Sequence, residues 1–331
     1  MMNKILKLIT SIFIALLATI SMSKAEVKVV ASIKPIHSLV SYVMDGVGKP
    51  DLIVDGYNSP HNFSLKPSHA KMIEKANLII WVGEDLETFL EKPLKTISKD
   101  AVNVEIMDLK GIKKLKFREK NIFEGHDNHE HGHKEHKEHG HDEHKEHSNK
   151  EKKHDDHSHE DHAHGDHDPH VWLDPMNAKV IVKEIEKQLV KLDPDNSSKY
   201  KANSKKAQSE LDNLTKNIKK DLKKDLRFVV FHDAYQYFEN RFGIKVLGAL
   251  TVNPDVLPGA EQLSEIREVI EHEKVNCLFS EPQFNPAIIK SIAKDTKVKT
   301  GVLDPLGANI DKGKEMYAEL LSKMYASFKG C

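Results

Sequence analysis

Short apolar runs alternate with amphipathic helical patterns over the first third of the chain. Each run is almost continuously apolar, which is typical of strands that are buried on both faces of a sheet. The predicted strands are 27–32, 51–55, 78–82 and 102–107. The helices predicted between them are 36–44, 68–76 and about 86–97. This alternation predicts a parallel sheet with helices on both faces.

The same alternation returns in the last third of the chain. The predicted strands there are 228–231, 245–250, 276–279 and 300–303. The predicted helices are 234–241, 261–271, 286–293 and 314–328. A second lobe of mostly parallel sheet flanked by helices is therefore expected.

Two helices are predicted between these halves. Asp174 can cap the first, with Pro175 at its first position, and Asp193-Pro194 breaks it. The second, 197–226, has apolar residues near helical spacing. At a rise of 1.5 Å per residue it would be about 40–45 Å long, enough to cross the molecule. The predicted fold class is therefore α/β, with two lobes joined by one long linker helix.

The first 25 residues have the features of a secretory signal peptide. Two lysines precede an apolar run at 8–20, and Ser23 and Ala25 fit a signal-peptidase site before Glu26. We therefore expect an exported, periplasmic protein of roughly 300 residues, which is long enough for two domains. The predicted units are a signal peptide at 1–25, an N-terminal lobe at 26–195, the linker helix at 196–226 and a C-terminal lobe at 227–331.

Histidine is concentrated in one polar segment of the predicted N-terminal lobe. Of the 21 histidines, 16 lie between His126 and His170. The segment is otherwise almost entirely charged or small and polar, so it cannot bury apolar surface, and we expect a mobile loop at about 124–167. Neutral imidazole is a ligand for zinc, copper, nickel and cobalt. The segment therefore predicts loose binding of transition-metal ions.

One stretch of this segment, His162-Ala163-His164-Gly165-Asp166-His167, matches the His-x-His-x-Asp-His pattern of dinuclear zinc hydrolases. In those enzymes the pattern follows a strand that fixes its geometry, whereas here the flanking residues predict a flexible loop. A segment so rich in histidine and aspartate produces such matches by chance. Binding without catalysis is therefore favoured, with a zinc-dependent hydrolase as an alternative.

Net charge and cysteine content narrow the functional class further. The formal net charge is −1, which argues against nucleic acid or an anionic membrane as a partner. An oxidising compartment permits a disulfide between the two cysteines, Cys277 and Cys331. The alternative is a buried thiol at Cys277 and a frayed end at Cys331. The even cysteine count in an exported chain favours the disulfide.

Metal-ligating residue types follow three strands of the second half. His232-Asp233, Glu281 and Asp304 come at or just after the ends of predicted strands. In the first half, His61 lies in the loop after the strand at 51–55, and His170 stands where apolar residues resume after the polar segment. Ligands collect outside the carboxyl ends of parallel strands. We therefore expect His61, His170 and His232 to meet in a cleft between the lobes.

These residues lie in stretches that resemble a known family. The stretches are 31–39, 60–68, 168–175, 231–235, 280–284 and 303–307, which read ASIKPIHSL, PHNFSLKPS, DPHVWLDP, FHDAY, SEPQF and LDPLG. They resemble the periplasmic zinc-binding receptors of ABC-type zinc uptake systems, the ZnuA family, within a wider cluster of manganese- and zinc-binding receptors. With the histidine-rich loop, the resemblance covers nearly the whole predicted mature chain.

The resemblance implies a receptor rather than an enzyme. It implies that His61, His170 and His232 coordinate Zn²⁺ and that the loaded protein hands the ion to the membrane permease of an ABC transporter. It also implies that the long helix limits hinge motion between the lobes. We expect the receptor to be a monomer.

The fourth metal ligand is where the chain departs from part of the family. Some relatives have a glutamate directly before the first histidine, but this chain has Pro60. Manganese-binding relatives use an aspartate at the position of Asp304, so a water or Asp304 is expected to complete a tetrahedron. Glu281 and Asp233 are candidates for orienting the imidazole rings.

The metal itself is expected to be zinc. Manganese-type relatives carry a carboxylate at the position of His232, which suits a harder ion, whereas three imidazoles favour zinc. A manganese- or iron-binding receptor of the same cluster is the alternative.

Overall fold

The structure, a computed structural model, describes residues 26–118, 120–122, 165–221, 226–254, 256 and 258–331. The predicted signal peptide lies outside these residues, as does most of the predicted histidine-rich loop. In the described part of the chain, two four-stranded sheets are flanked by helices, and neighbouring strands pair in parallel. The predicted fold class is therefore confirmed.

The first sheet is built from short strands whose order is β2-β1-β3-β4. The strands are β1 (Val29–Ile33), β2 (Asp51–Val54), β3 (Leu78–Trp81) and β4 (Val102–Glu105). Its helices are α1 (Lys34–Val43), α2 (Pro67–Lys75) and α3 (Thr88–Thr96). Every residue of the central strands β1 and β3 is buried. This burial explains why these strands are apolar throughout instead of alternating with polar residues.

Two helices follow the histidine-rich region and pack against each other, namely α4 (Pro175–Leu192) and α5 (Ser197–Asp221). The Asp174 carboxylate caps α4 by accepting from the backbone N–H of Met176, as the sequence predicts. The described part of α5 has 25 residues, which corresponds to about 37 Å. Helix α5 also packs along α1, so it braces the first lobe along its length.

The second sheet repeats the pattern with the order β6-β5-β7-β8. Its strands are β5 (Arg227–His232), β6 (Lys245–Thr251), β7 (Cys277–Ser280) and β8 (Lys299–Val302). Its helices are α6 (Gln236–Phe242), α7 (Ala260–His272), α8 (Ala287–Thr296) and α9 (Met316–Gly330). The central position of β5 places its carboxyl end, His232, in the middle of the sheet edge.

The two lobes interlock because the chain crosses between them more than once. Residues 113–118 and 120–122 leave the first lobe and reach the outer strand β6, where Ala249 donates its backbone N–H to the Asn121 carbonyl at 2.9 Å and Ile122 pairs with Gly248. In the opposite direction, α9 packs against α1 and α5. One buried apolar core consequently contains residues of both sheets.

Cys277, the first residue of β7, forms a disulfide with Cys331, and their Cα atoms lie 5.9 Å apart. The bond ties the end of α9 to the second sheet while the body of α9 packs against the first lobe.

Among the described helices, none combines the length and the apolar character that crossing a bilayer requires.

Candidate metal centre

Three imidazole rings converge between the lobes. His61, His170 and His232 each offer a ring nitrogen, and these nitrogens all lie within 4.8 Å of one another. The ring centroids are 5.5 Å apart for His61 and His170, 5.5 Å for His61 and His232, and 5.1 Å for His170 and His232. Among the described residues, this is the one group of three or more His, Cys, Asp or Glu side chains that meets this distance.

His170 is held by a carboxylate two residues earlier in the chain. Asp168 Oδ1 accepts from His170 Nδ1 at 2.7 Å and from the His170 backbone N–H at 2.9 Å. Both side chains are buried. Because the carboxylate accepts from Nδ1, the Nε2 lone pair faces the other rings. Burial, together with the neighbouring His232, lowers the pKa of His170 well below its ordinary value, so its ring is neutral.

His232 is oriented in the same way from the second sheet. Its Nδ1 donates to Glu281 Oε1 at 2.8 Å, and Glu281 follows β7, the strand beside β5. Burial alone would lower the pKa of His232, but the Glu281 carboxylate, together with Asp233 and Asp168, outweighs burial and raises this pKa above its ordinary value. The two rings approach closely, with His170 Nε2 and His232 Nε2 3.2 Å apart. Two lone pairs at this distance repel each other unless a proton or a cation lies between them.

His61 reaches the cluster from the first lobe, in the segment that follows β2. It is partly exposed, whereas His170 and His232 are buried. Apolar side chains complete the cavity wall around the rings, among them Trp172, Phe284 and Leu306. Trp172 is fully buried, lies 5.2 Å from the His170 ring and donates its indole N–H to the Pro305 carbonyl at 2.9 Å. These walls limit the access of water to the three nitrogens.

Asp304, a candidate ligand from the sequence, is not among the side chains that converge here. Its carboxylate accepts from the backbone N–H groups of Leu306, Gly307 and Ala308 at 2.6–3.1 Å and from Gln283 Nε2 at 2.8 Å. These four donors occupy both oxygens. Asp304 therefore organises the turn after β8, as an aspartate at the start of a turn commonly does.

Asp233, a candidate for orienting a ring, instead belongs to a buried ionic network. Its Oδ1 accepts from Arg118 Nη1 at 2.8 Å, and the same guanidinium donates to both oxygens of Glu239 at 3.1 and 2.8 Å. Burial raises the pKa of Glu239 to about 7 although the Arg118 guanidinium opposes this. Arg118 thus balances two buried carboxylates, one of which belongs to the residue after His232.

Residues 165–170 lead from the histidine-rich region into the metal centre in a defined conformation. His167 pairs with Lys116 in an antiparallel bridge, and the Asp168 backbone N–H donates to Leu115 at 2.9 Å. The Tyr237 hydroxyl donates to the Asp168 carbonyl at 2.7 Å. The predicted mobile loop extends to residue 167, whereas the backbone at residues 166–168 pairs with the segment that crosses to the second lobe.

Sequence comparison identifies relatives along the whole of this architecture. A family model described as zinc-uptake complex component A, periplasmic (ZnuA), matches residues 29–331. The high-affinity zinc uptake system protein ZnuA of Brucella abortus (strain 2308) is 48% identical over 326 residues, which cover 98% of this chain and 97% of the relative. The protein of the same name from Yersinia pestis is 37% identical over 320 residues, covering 96% of this chain and 95% of the relative.

Structural comparison agrees. A crystal structure of ZnuA matches with a TM-score of 0.69 at 21% identity, covering 92% of this chain and 100% of that chain. At this level of identity the match shows a shared fold.

Proposed function

The chain belongs to the family of zinc-uptake complex component A, and we propose that it is a periplasmic receptor that binds one Zn²⁺ ion and delivers it to an ABC transporter for import. The observation that carries this proposal is the convergence of His61, His170 and His232 in one partly enclosed site. Zinc prefers imidazole nitrogen and a tetrahedral arrangement. In this role the protein binds and releases the ion without chemical change, so it is a receptor and not an enzyme.

The geometry of the buried pair supports tetrahedral coordination. Zn–N bonds of about 2.0–2.1 Å place two nitrogens about 3.3–3.4 Å apart at the corners of a tetrahedron. His170 Nε2 and His232 Nε2 are 3.2 Å apart. We assign these two atoms and a ring nitrogen of His61 as protein ligands. Because the carboxylate of Asp304 is occupied by backbone amides, water is the fourth ligand that we propose.

Carboxylates behind two of the rings support a divalent cation as the ligand. Asp168 and Glu281 each accept from the Nδ1 of a ligand histidine. Such carboxylate–histidine pairs increase the basicity of the ligating nitrogen and hold the ring in place. The two carboxylates also bring negative charge close to the site, and this charge compensates for the charge of Zn²⁺ in a buried environment.

The alternative of a manganese receptor is tested by metal competition. The converging group contains three imidazoles and no carboxylate, which is a softer donor set than Mn²⁺ prefers. Equilibrium titration of the protein lacking residues 126–164 with Zn²⁺, in the presence of excess Mn²⁺, should give one tight zinc site that manganese does not displace. Displacement of zinc by manganese at comparable concentrations would contradict the proposal.

Zinc affinity should decrease as the pH falls. The ligating ring must be neutral, and the pKa of His232 is raised by Glu281 whereas that of His170 is lowered by burial. A proton on His232 therefore competes with zinc, and the affinity should fall about tenfold per pH unit below the raised pKa. Competition titrations between pH 8.5 and 5.5 measure this slope.

Glu281→Gln is the matched variant for the pH experiment. It removes the carboxylate that favours the protonated ring, so the pH at which the affinity begins to fall should move lower. Loss of a partner behind a metal-ligating histidine also costs about 10–100-fold in affinity at high pH. A flat pH profile for the unaltered protein would contradict proton competition at His232.

The histidine-rich segment is proposed as an accessory that raises the local zinc concentration through weak, tethered ligands. Removal of residues 126–164 should abolish weak zinc binding and leave one tight site. We place the end of the deletion before residue 165 because residues 166–168 pair with residues 115–117. Calorimetric titration of both proteins measures the number of ions bound. Loss of the tight site in a folded deletion protein would contradict this role.

The proposed function includes a location, an oligomeric state and a division of the chain into units. Residues 1–25 act as the signal peptide, and the mature protein is a periplasmic monomer that docks on the membrane permease. Its units are the N-terminal lobe at 26–195, the linker helix at 196–226 and the C-terminal lobe at 227–331. The family described as periplasmic, to which the chain belongs, supports this location.

A further inference from the structure

Lys34, the first residue of α1, is a buried cation between the lobes. Its side chain is 6% exposed. Nζ donates to the carbonyl oxygens of Gly307, Ala308 and Ile310 at 3.0, 3.1 and 3.2 Å. These carbonyls all belong to the turn that follows β8 in the second lobe. A buried ammonium with three acceptors fixes that turn relative to α1.

The same ammonium contacts the segment that carries His61. Lys34 Nζ lies 3.3 Å from Asp55 Oδ1, and Asp55 is the residue that follows β2. Burial would raise the pKa of Asp55, but the Gly56 backbone N–H and the Lys34 ammonium hold it below its usual value. The Tyr57 hydroxyl also donates to the side chain of Asn309. The segment that carries His61 is thus tied to the turn after β8 directly through Tyr57 and indirectly through Lys34.

The turn after β8 is also connected to His170, through Trp172. The Asp304 carboxylate gathers its backbone N–H groups, while the Pro305 carbonyl accepts from Trp172, whose ring packs on His170. Gly307 has a φ of +67°, a conformation that glycine adopts without strain, and a Cβ there would collide with Met316. The turn therefore has a defined conformation, and it contacts both Lys34, through the carbonyls of residues 307, 308 and 310, and Trp172, through the Pro305 carbonyl.

We propose that Lys34 is a positioning residue for the metal centre and that it sets the position of His61 relative to His170 and His232. The inference rests on the proposed zinc site. His170 and His232 are fixed by Asp168 and Glu281 directly at their rings. His61 lies in the segment that follows β2, and Lys34 joins Asp55 of this segment to the turn after β8, which contacts Trp172 beside His170.

Lys34→Met tests this inference because methionine keeps most of the side-chain volume and removes the ammonium. The expected result is a zinc affinity about tenfold lower, equivalent to about 1.4 kcal/mol, with faster dissociation. In the His61→Ala background, Lys34→Met should have no further effect on zinc affinity. Non-additivity of this kind separates an action through His61 from a general loss of stability. The absorption spectrum of bound Co²⁺ should also shift toward that of His61→Ala.

Lys179→Met is the matched control. Lys179 forms a partly buried ion pair with Asp212 between α4 and α5, away from both segments, so this variant should bind zinc unchanged. If Lys34→Met does not fold, Asp55→Ala removes the other half of the ion pair at a more exposed position and should show the same non-additivity with a smaller loss.

Two results would overturn the role of Lys34: unchanged zinc binding in a folded Lys34→Met protein, or an equal loss with and without His61. If His61→Ala itself binds zinc as tightly as the unaltered protein, the proposed coordination is wrong, which is a separate outcome.

Discussion

Replacing His170 with alanine should lower the affinity of the tight zinc site by more than about a hundredfold, beyond the 10–100-fold range of losses caused by altering partners behind a ligand. The ring supplies one nitrogen of the closely spaced pair, and Asp168 already holds it in the ligating orientation. His61→Ala and His232→Ala should each weaken the same site. Competition against a coloured chelator, with residues 126–164 removed, measures each affinity without interference from the histidine-rich segment.

His272→Ala is the control for these histidine variants. His272 is an exposed residue at the end of α7 and lies outside the converging group, so its loss should leave the affinity unchanged. If the three ligand variants all retain the tight site while remaining folded, then zinc is bound elsewhere and the proposed receptor mechanism fails.

Much of this arrangement can be predicted from the sequence because it depends on local patterns. Continuous apolar runs separated by helices were sufficient to predict two parallel sheets. His232 follows a general rule, since ligand groups collect at the carboxyl ends of strands and β5 is a central strand. His170 stands where apolar residues resume, and the structure buries Val171, Trp172 and Leu173 directly after it.

Other features were not predicted from the sequence. The Arg118 network depends on contacts between distant parts of the chain, whereas the roles of Asp304 and Asp168 depend on the local backbone conformation. Arg118 and Glu239 are 121 positions apart, so neither residue indicates the other. Asp304 has the residue type and strand-end position of a ligand, but the backbone amides of its own turn occupy it. The sequence marks Asp168 only as part of the stretch DPHVWLDP, although the Asp-x-His spacing lets its carboxylate accept from the His170 ring.

The interlocked lobes explain how zinc can be held between them without a large closing motion. Residues 121 and 122 cover an edge of the second sheet, α9 packs against the first lobe, and Lys34 joins the turn after β8 to the first lobe. Each crossing must be broken before the lobes can separate as rigid bodies. Release of the ion is therefore expected to involve the segment after β2, because His61 in that segment is the one partly exposed histidine of the three.

Arg118→Met should destabilise the folded protein by about 3–5 kcal/mol at pH 8.5, because removal of one partner leaves buried charges uncompensated. The carboxylates of Asp233 and Glu239 are 4% and 7% exposed, and Arg118 is an ion-pair partner of both. Equilibrium unfolding in urea, without zinc, measures the difference. At pH 5.5 the substitution is expected to lower the free energy of unfolding by a smaller amount.

The sign of this pH dependence follows from Glu239. Its pKa in the folded protein is raised to about 7 from 4.5, so ionising it costs stability as the pH rises through that range. Without Arg118 the folded-state pKa rises further, and the carboxyl is protonated and neutral at pH 5.5. Arg227→Met, which breaks an exposed pair with Glu273, should cost no more than about 1 kcal/mol at either pH. Arg118 does not compensate these buried carboxylates if the Arg118→Met protein is as stable as the unaltered protein at pH 8.5. The same conclusion follows if the variant loses the same free energy of unfolding at pH 8.5 and at pH 5.5.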